Sequence, residues 1–419
     1  MKENKKKLLV YSDCYIYGGS EKLMAFLLKN QLLNEKYSIF FAYRKHKLYE
    51  IGLKNEELLN RRYNFALPVL ANETLFNRIN DSSIPSFLKK PVKIPFFIFE
   101  WFKVYSLWNF IVFVFFLLKV KPEIIHINNG GYPGAKSCNI LVVANSITAK
   151  AKIIYQVNNQ ARKSNGIFDF TYDKFIAKKI SFFINASFKA KEQLVLQRKF
   201  DSEKILVVDN CVPLVPVVND KSKICAELNI SIGNFLITQV GFLSDRKGQQ
   251  YLIKAVRLLL DLHPVLEDKL SLLLVGNGEN EQLLRLMVSN LNLSKNVFLL
   301  GYRNNSQDFI AAADIFVLPS VSDEDMPLVL LMALGEGKPI IATDFAGISQ
   351  VLTTDVNGIL VSNNTEVLVK ALANEIYRLY ENKTLRDELS VNAKISYQKY
   401  TPENYGKRLN EIYKSVNAK

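Results

Sequence analysis

At 419 residues the chain exceeds the size at which one hydrophobic core usually stops growing, so two domains are expected. A composition of 49% hydrophobic and 22% charged residues excludes a disordered or fibrous chain and fits a protein that buries real cores. The formal net charge of +14 is lopsided: residues 1–210 carry 33 Lys and Arg against 17 acids, residues 211–419 carry 21 against 23. So basic a half is expected to meet membrane lipid, a lipid diphosphate or nucleic acid, with solubility alone as the plainer alternative. It contains no recognised nucleic-acid-binding module, and nucleic acid is set aside.

The chain opens with Lys2 and Lys5-Lys6-Lys7, followed by an apolar run that Asp13 cuts short. A signal peptide needs an apolar core of about 7–15 residues. The run therefore reads as a first buried strand, and a cytoplasmic location is expected. The four cysteines (Cys14, Cys138, Cys211, Cys225) are scattered, with no Cys-x-x-Cys pair, and there are three histidines (His46, His126, His263). Neither a disulfide framework nor a zinc site is expected, and a reducing compartment fits.

In chain order, strands are expected at Leu8–Tyr11, Ser38–Ala42, Ile124–Ile127, Ile153–Val157 and Phe182–Ile184. They resume at Phe235–Val240, Leu272–Val275, Val297–Leu300, Ile315–Leu318, Ile340–Ala342 and Ile359–Val361. Continuous apolar strands separated by helical patterns signify parallel sheets covered on both faces. Pro213 and Pro216 mark a linker, dividing the chain into residues 1–212 and 213–400. Thr401-Pro402-Glu403 reads as the start of a last helix, over 401–419, whose apolar face (Tyr405, Leu409, Ile412, Tyr413, Val416) needs a partner.

Ile94–Leu118 holds both tryptophans, Trp101 and Trp108, and eight phenylalanines. Its longest uninterrupted apolar stretch, Phe110–Leu118, has nine residues, short of the roughly 20 needed to span a bilayer. One hydrophobic helix, partly offered to a membrane surface, is expected, with a fully buried core helix as the equal alternative. Lys89, Lys90, Lys93, Lys119 and Lys121 bracket it.

In open parallel sheets ligands bind beyond the carboxyl ends of the strands. After the first strand comes Tyr17-Gly18-Gly19-Ser20-Glu21, where two glycines allow close approach and a helix N-terminus suits a phosphate. The dinucleotide fingerprint Gly-x-Gly-x-x-Gly is absent at this turn, which counts against a nicotinamide enzyme. The second half is more specific. Gly241 to Arg246-Lys247-Gly248, Gly276-Asn277-Gly278-Glu279 and Gly301-Tyr302-Arg303 each follow a strand. Pro319-Ser320 then leads through Glu324-Asp325-Met326-Pro327-Leu328, and Gly337-Lys338-Pro339 through Thr343-Asp344 to Gly347-Ile348.

This ordered series resembles the donor-binding domain of family 4 glycosyltransferases, retaining enzymes of the GT-B fold. The first half supports it more loosely through Gly18-Gly19 and His126-Ile127-Asn128-Asn129-Gly130-Gly131. The resemblance implies an α/β protein of two doubly wound Rossmann-like domains facing a central cleft, the N-terminal one on the acceptor side, with the last helix, 401–419, crossing back to the N-terminal domain. It implies that Lys247 grips the donor diphosphate, that Glu324 holds sugar hydroxyls, and that the loop Asp325, Met326, Pro327, Leu328 meets the sugar. Gly276 and Gly278 are implied to line the donor site, and Tyr302 and Arg303 to meet the base. Gly18 and Gly19 fall near the diphosphate, and Asn128 near the sugar. The implied co-substrate is a nucleotide-diphosphate sugar, with no other cofactor and no metal. The acceptor is expected to be lipid-linked or an oligosaccharide, met at the inner, anionic face of the cell membrane.

Asp323-Glu324-Asp325 also reads as the Asp-x-Asp metal motif of the other glycosyltransferase fold, but it precedes a helix within this series. His126, at a strand end, reads either as a satisfied structural histidine or as a catalytic one. Two positions depart from the family. Met332 stands where a second glutamate usually grips the ribose, and Phe242 stands where an arginine usually follows the glycine. Arg246 would partly replace that charge. The departures keep open a degenerate subunit that binds a glycan or a partner transferase. A sugar-phosphate synthase or phosphorylase on the same fold ranks third.

Overall fold

The computed structural model describes residues 5–80, 82–164, 166–322 and 324–416. The chain divides into two compact units: the first runs to Val208 and resumes at Tyr405, the second is Asp209–Asn404. The break lies four residues before the expected one. Val208 N–H still donates to Asn185 O in the first unit (2.9 Å), whereas Val212 N–H already donates to Tyr400 O in the second (3.1 Å).

The first unit is a seven-stranded parallel sheet: β1 (Lys6–Ser12), β2 (Tyr37–Arg44), β3 (Asn64–Leu67), β4 (Ile124–Asn129), β5 (Lys152–Val157), β6 (Phe182–Asn185) and β7 (Ile205–Val207). Their order is β3-β2-β1-β4-β5-β6-β7. The chain steps outward from β1 in one direction, then crosses back to β4 and continues in the other. The second unit has six parallel strands: β8 (Phe235–Val240), β9 (Leu270–Val275), β10 (Val297–Leu299), β11 (Ile315–Leu318), β12 (Ile340–Thr343) and β13 (Ile359–Val361). They lie in the order β10-β9-β8-β11-β12-β13, reversing between β8 and β11. Every residue of β4, β8, β9, β11 and β12 is buried, which is why apolar residues dominate β8, β9, β11 and β12, while β4 buries His126, Asn128 and Asn129 among its isoleucines. Each unit has its own hydrophobic core.

β3 and β7 were not among the expected strands. Both are sheet edges of four and three residues, paired on one side only. The aromatic segment also differs from the single expected helix. It is two helices, Ser86–Trp101 and Val104–Val120, bent by 62° about Phe102 and Lys103, with Lys103 in the left-handed region at φ 60°. No single helix among the described residues is long and apolar enough to cross a membrane.

The last helix, Pro402–Ser415, starts where Thr401 Oγ1 accepts from Asn404 N–H (3.4 Å). From Tyr405 it packs into the first unit. Tyr413 Oη lies 2.7 Å from His126 Nδ1, Tyr405 Oη donates to Gln156 Oε1 (3.1 Å), and Tyr37 Oη donates to Asn410 Oδ1 (3.2 Å). His126 Nε2 meets the same Gln156 oxygen at 2.8 Å, so both ring nitrogens are engaged and the ring is buried. The structural reading of His126 fits this environment.

Burial pulls the His126 imidazole down to about 4, against a smaller opposing pull from Gln156. Between that value and the ordinary one near 6.5, the unfolded chain binds more protons than the folded one. This contribution to stability is complete above the unfolded value and drains away as pH falls towards about 4. We expect a loss of about 3 kcal/mol across that window, missing in His126→Gln. Urea unfolding followed by tryptophan fluorescence checks it, because both tryptophans lie in the first unit.

Candidate functional site

In the second unit the candidate residues gather where β8 and β11 end, at the reversal of strand order, which is where open α/β sheets bind ligands. After β8 the chain makes a short turn, Asp245–Lys247, closed by Gly248 at φ 72°. A Cβ at Gly248 would collide with Pro319 O, so only glycine brings this turn against the end of β11. Val321 N–H donates to Arg246 O (2.8 Å), and Gln239 Nε2 donates to Lys247 O (3.0 Å). The turn is thereby fixed to both strands.

These ties aim Lys247 at Glu324. Lys247 Nζ donates to Glu324 Oε2 in a direct ion pair, with both residues buried. Ser320 Oγ donates to the same oxygen (3.2 Å), and an Arg246 nitrogen lies 3.8 Å away. The carboxylate is thus ringed by a lysine, a hydroxyl and an arginine. Met326 O accepts from Asn210 Nδ2 (2.8 Å), and Asp325 O accepts from Gly347 N–H (3.1 Å), which hold the loop on either side. Pro327 then caps the helix Leu328–Gly335. The first N–H groups of that helix lack intrahelical acceptors, which makes its start a partial positive charge. Asp323 lies outside the described residues. Among the described residues, no group of three or more His, Cys, Asp or Glu side chains converges as a metal site would.

The remaining loops stack beside this centre. Gly276, at φ 142°, lies so close to Gly241 O that a Cβ would collide with it. Gly276 N–H donates to Gly301 O (2.8 Å), and Leu243 N–H donates to Asn277 O (2.9 Å) beside Gly278. Tyr302 is exposed, but Arg303 is engaged elsewhere: it pairs with Glu227 (2.7 Å) and lies over the Phe309 ring. Phe242 is half exposed, and Met332 is partly buried on the helix after Pro327.

The first unit has its own cluster at its reversal between β1 and β4. Gly18 N–H donates to the Glu21 carboxylate (3.2 Å), as does Ser20 Oγ (2.7 Å). The helix start expected to await a phosphate therefore holds a carboxylate, whose pKa is raised by burial. A Cβ on Gly19 would meet nothing within 4 Å. Asn128 is buried; its amide donates to Ser12 Oγ (3.3 Å) and Ser20 O (3.5 Å) and accepts from Asn158 (2.7 Å). Sequence reasoning missed the buried pair of Asp13 and Arg44, 2.5 Å apart, with Ser137 also donating to Asp13. These residues line a cavity of about 250 Å³. Only the register that sets Ser12 beside Tyr43 brings them together.

Residues 220–396 match the family model described as glycosyl transferases group 1. The second unit carries a glycosyl transferases group 1 domain. An Escherichia coli UDP-Gal:alpha-D-GlcNAc-diphosphoundecaprenol alpha-1,3-galactosyltransferase is 27% identical over 64% of this chain and 69% of its own. An uncharacterised glycosyltransferase of Methanocaldococcus jannaschii is 25% identical over 93% of both chains. Among solved structures, Anabaena Alr3699/HepE in complex with UDP aligns with a TM-score of 0.73 at 19% identity, covering 98% of this chain and 100% of that one. A glycosyltransferase from Rickettsia africae aligns with a TM-score of 0.74 at 17% identity, over 99% of each. The fold is of the GT-B class, with two Rossmann-like parallel α/β domains.

Removing one partner of a buried pair strands the other charge, which typically costs about 3–5 kcal/mol. We expect Lys247→Ala to destabilise the glycosyl transferases group 1 domain by about that amount. Lys247→Met combined with Glu324→Gln should recover most of it, as read by denaturant unfolding and circular dichroism.

Proposed function

We propose that the protein transfers a sugar from a nucleotide-diphosphate sugar to a lipid-linked or polysaccharide acceptor in cell-surface glycan assembly. The observation that carries this reading is the buried Lys247–Glu324 pair at the sheet reversal, beside the start of the helix after Pro327. As the bond to the sugar breaks, the leaving diphosphate gains negative charge, which pre-placed donors must stabilise. An ammonium has three N–H donors and Lys247 gives one to Glu324, so others remain for phosphate oxygens. Arg246 adds a second cation, and the helix start adds backbone N–H groups. Glu324, held in place by Ser320, would accept from sugar hydroxyls.

Retention of configuration and independence from metal rest on the resemblance to family 4. The acceptor class draws on relatives: the E. coli transferase named above and a Rhizobium meliloti lipopolysaccharide core biosynthesis glycosyltransferase that is 31% identical over 46% of this chain. A cytoplasmic site of action is supported by four free thiols, three of them buried. The second reading, a degenerate binding subunit, is favoured by Met332 and Phe242, which replace a ribose acceptor and a phosphate cation.

A transfer and hydrolysis assay across UDP-hexoses, with and without a chelator, tests the reading. We expect activity indifferent to the chelator and a product anomer matching that of the donor. Glu324→Gln is isosteric and should lower turnover by about tenfold or more, the size of a charge-assisted hydrogen bond. No turnover with any donor, with nucleotide binding intact, would favour the binding subunit.

Met332→Glu restores a carboxylate to the helix beside the site. We expect it to tighten nucleotide binding about tenfold in a calorimetric titration.

A further inference from the structure

The helix Val104–Val120 is apolar on both faces. Phe113, Phe116, Leu117 and Val120 are buried in the first unit's core, while Leu107, Ile111, Phe115 and Leu118 form an exposed stripe at helical spacing. Ser86–Trp101, joined to it at the 62° bend, has no buried residue and exposes Phe87, Ile94 and Phe97. At the bend Trp101 is 75% exposed and Phe102 66%. Trp108 is half exposed, its indole N–H donating to Pro68 O (2.8 Å). An apolar surface this large on a folded protein marks a contact with something.

The charge pattern identifies the contact. Residues 86–121 hold six lysines, at 89, 90, 93, 103, 119 and 121, and one acid, Glu100, which pairs with Lys136. Lys90, Lys103, Lys119 and Lys121 are exposed. Lysine is depleted from protein–protein interfaces but favoured beside apolar stripes that lie in the headgroup layer of anionic bilayers. The longer helix has 17 residues, about 26 Å, short of a bilayer core even before the bend. We propose that the bent helix pair of residues 86–120 inserts shallowly into an anionic bilayer surface and seats the first unit there, with Trp101 and Phe102 deepest. Glu100 and Lys103, flanking that tip, also line the 250 Å³ cavity over Asp13 and Arg44. A lipid-carried acceptor would thus meet a polar cavity at the bilayer surface. That consequence rests on the transferase reading, whereas the docking itself does not.

The test uses the full chain, no donor, and phosphatidylcholine vesicles with or without phosphatidylglycerol. Trp108→Phe leaves Trp101 as the only tryptophan. Its emission should shift to the blue with anionic vesicles, be quenched by brominated lipid chains, and recover in high salt. Trp101→Ser with Phe115→Ser should weaken partitioning about tenfold or more, and Lys103→Ser with Lys119→Ser and Lys121→Ser should weaken it and flatten its salt dependence. Unchanged Trp101 emission with anionic vesicles would overturn the proposal. So would a vesicle-free dimer that Trp101→Ser dissociates, since a second copy would then cover the face. Donor turnover is assayed separately, so either proposal can fail alone.

Discussion

A lysine and a glutamate taken out of water together set the terms for the second unit. Each charge alone would be strongly disfavoured at that depth, and together they are tolerable only if geometry holds them in contact. Lys247 and Glu324 meet because a glycine turn lies against the end of β11, and because Arg246 O and Lys247 O are both hydrogen-bonded to neighbouring segments. Ser320 and Arg246 complete the ring around the carboxylate. The result is a rigid, charged centre at the one place in the sheet where the strand order leaves a crevice.

The first unit solves a different problem with the same topology. Its reversal point is filled by the unit's own side chains: Asn128 bonds Ser12, Ser20 and Asn158, and Glu21 takes the N–H of Gly18. The opening lies elsewhere, over Asp13 and Arg44. Its last helix is held through His126 and Gln156, polar groups that burial makes costly to leave unpartnered. The two-faced apolar helix, with Ser86–Trp101 before it, keeps an apolar outer surface that folding leaves uncovered.

The central strands were legible because burial on both faces favours short apolar runs, as in Leu272–Val275 and Ile315–Leu318. β3 was not, because three of its four residues are not buried and leave no apolar run, whereas β7 went unread although it is as short and apolar as the legible edge strands β10 and β13. The bend at Lys103 was hidden as well: hydrophobicity runs through it, and a left-handed lysine leaves no compositional mark. Lys247 and Glu324 were each readable from local motifs, but Asp13 and Arg44 carried no such signal.

By itself the sequence determined the two parallel α/β halves, the loops that bear the candidate site and the uneven charge. Each of these depends on residues close together in the chain. Tertiary structure alone decided which of those residues touch. Strand order brings Lys247 to Glu324 across 77 positions, directs Arg303 to Glu227, and leaves one face of the aromatic helix pair uncovered. The physical reason is that a side chain's partner is set by sheet register and crossover, which no local spacing encodes.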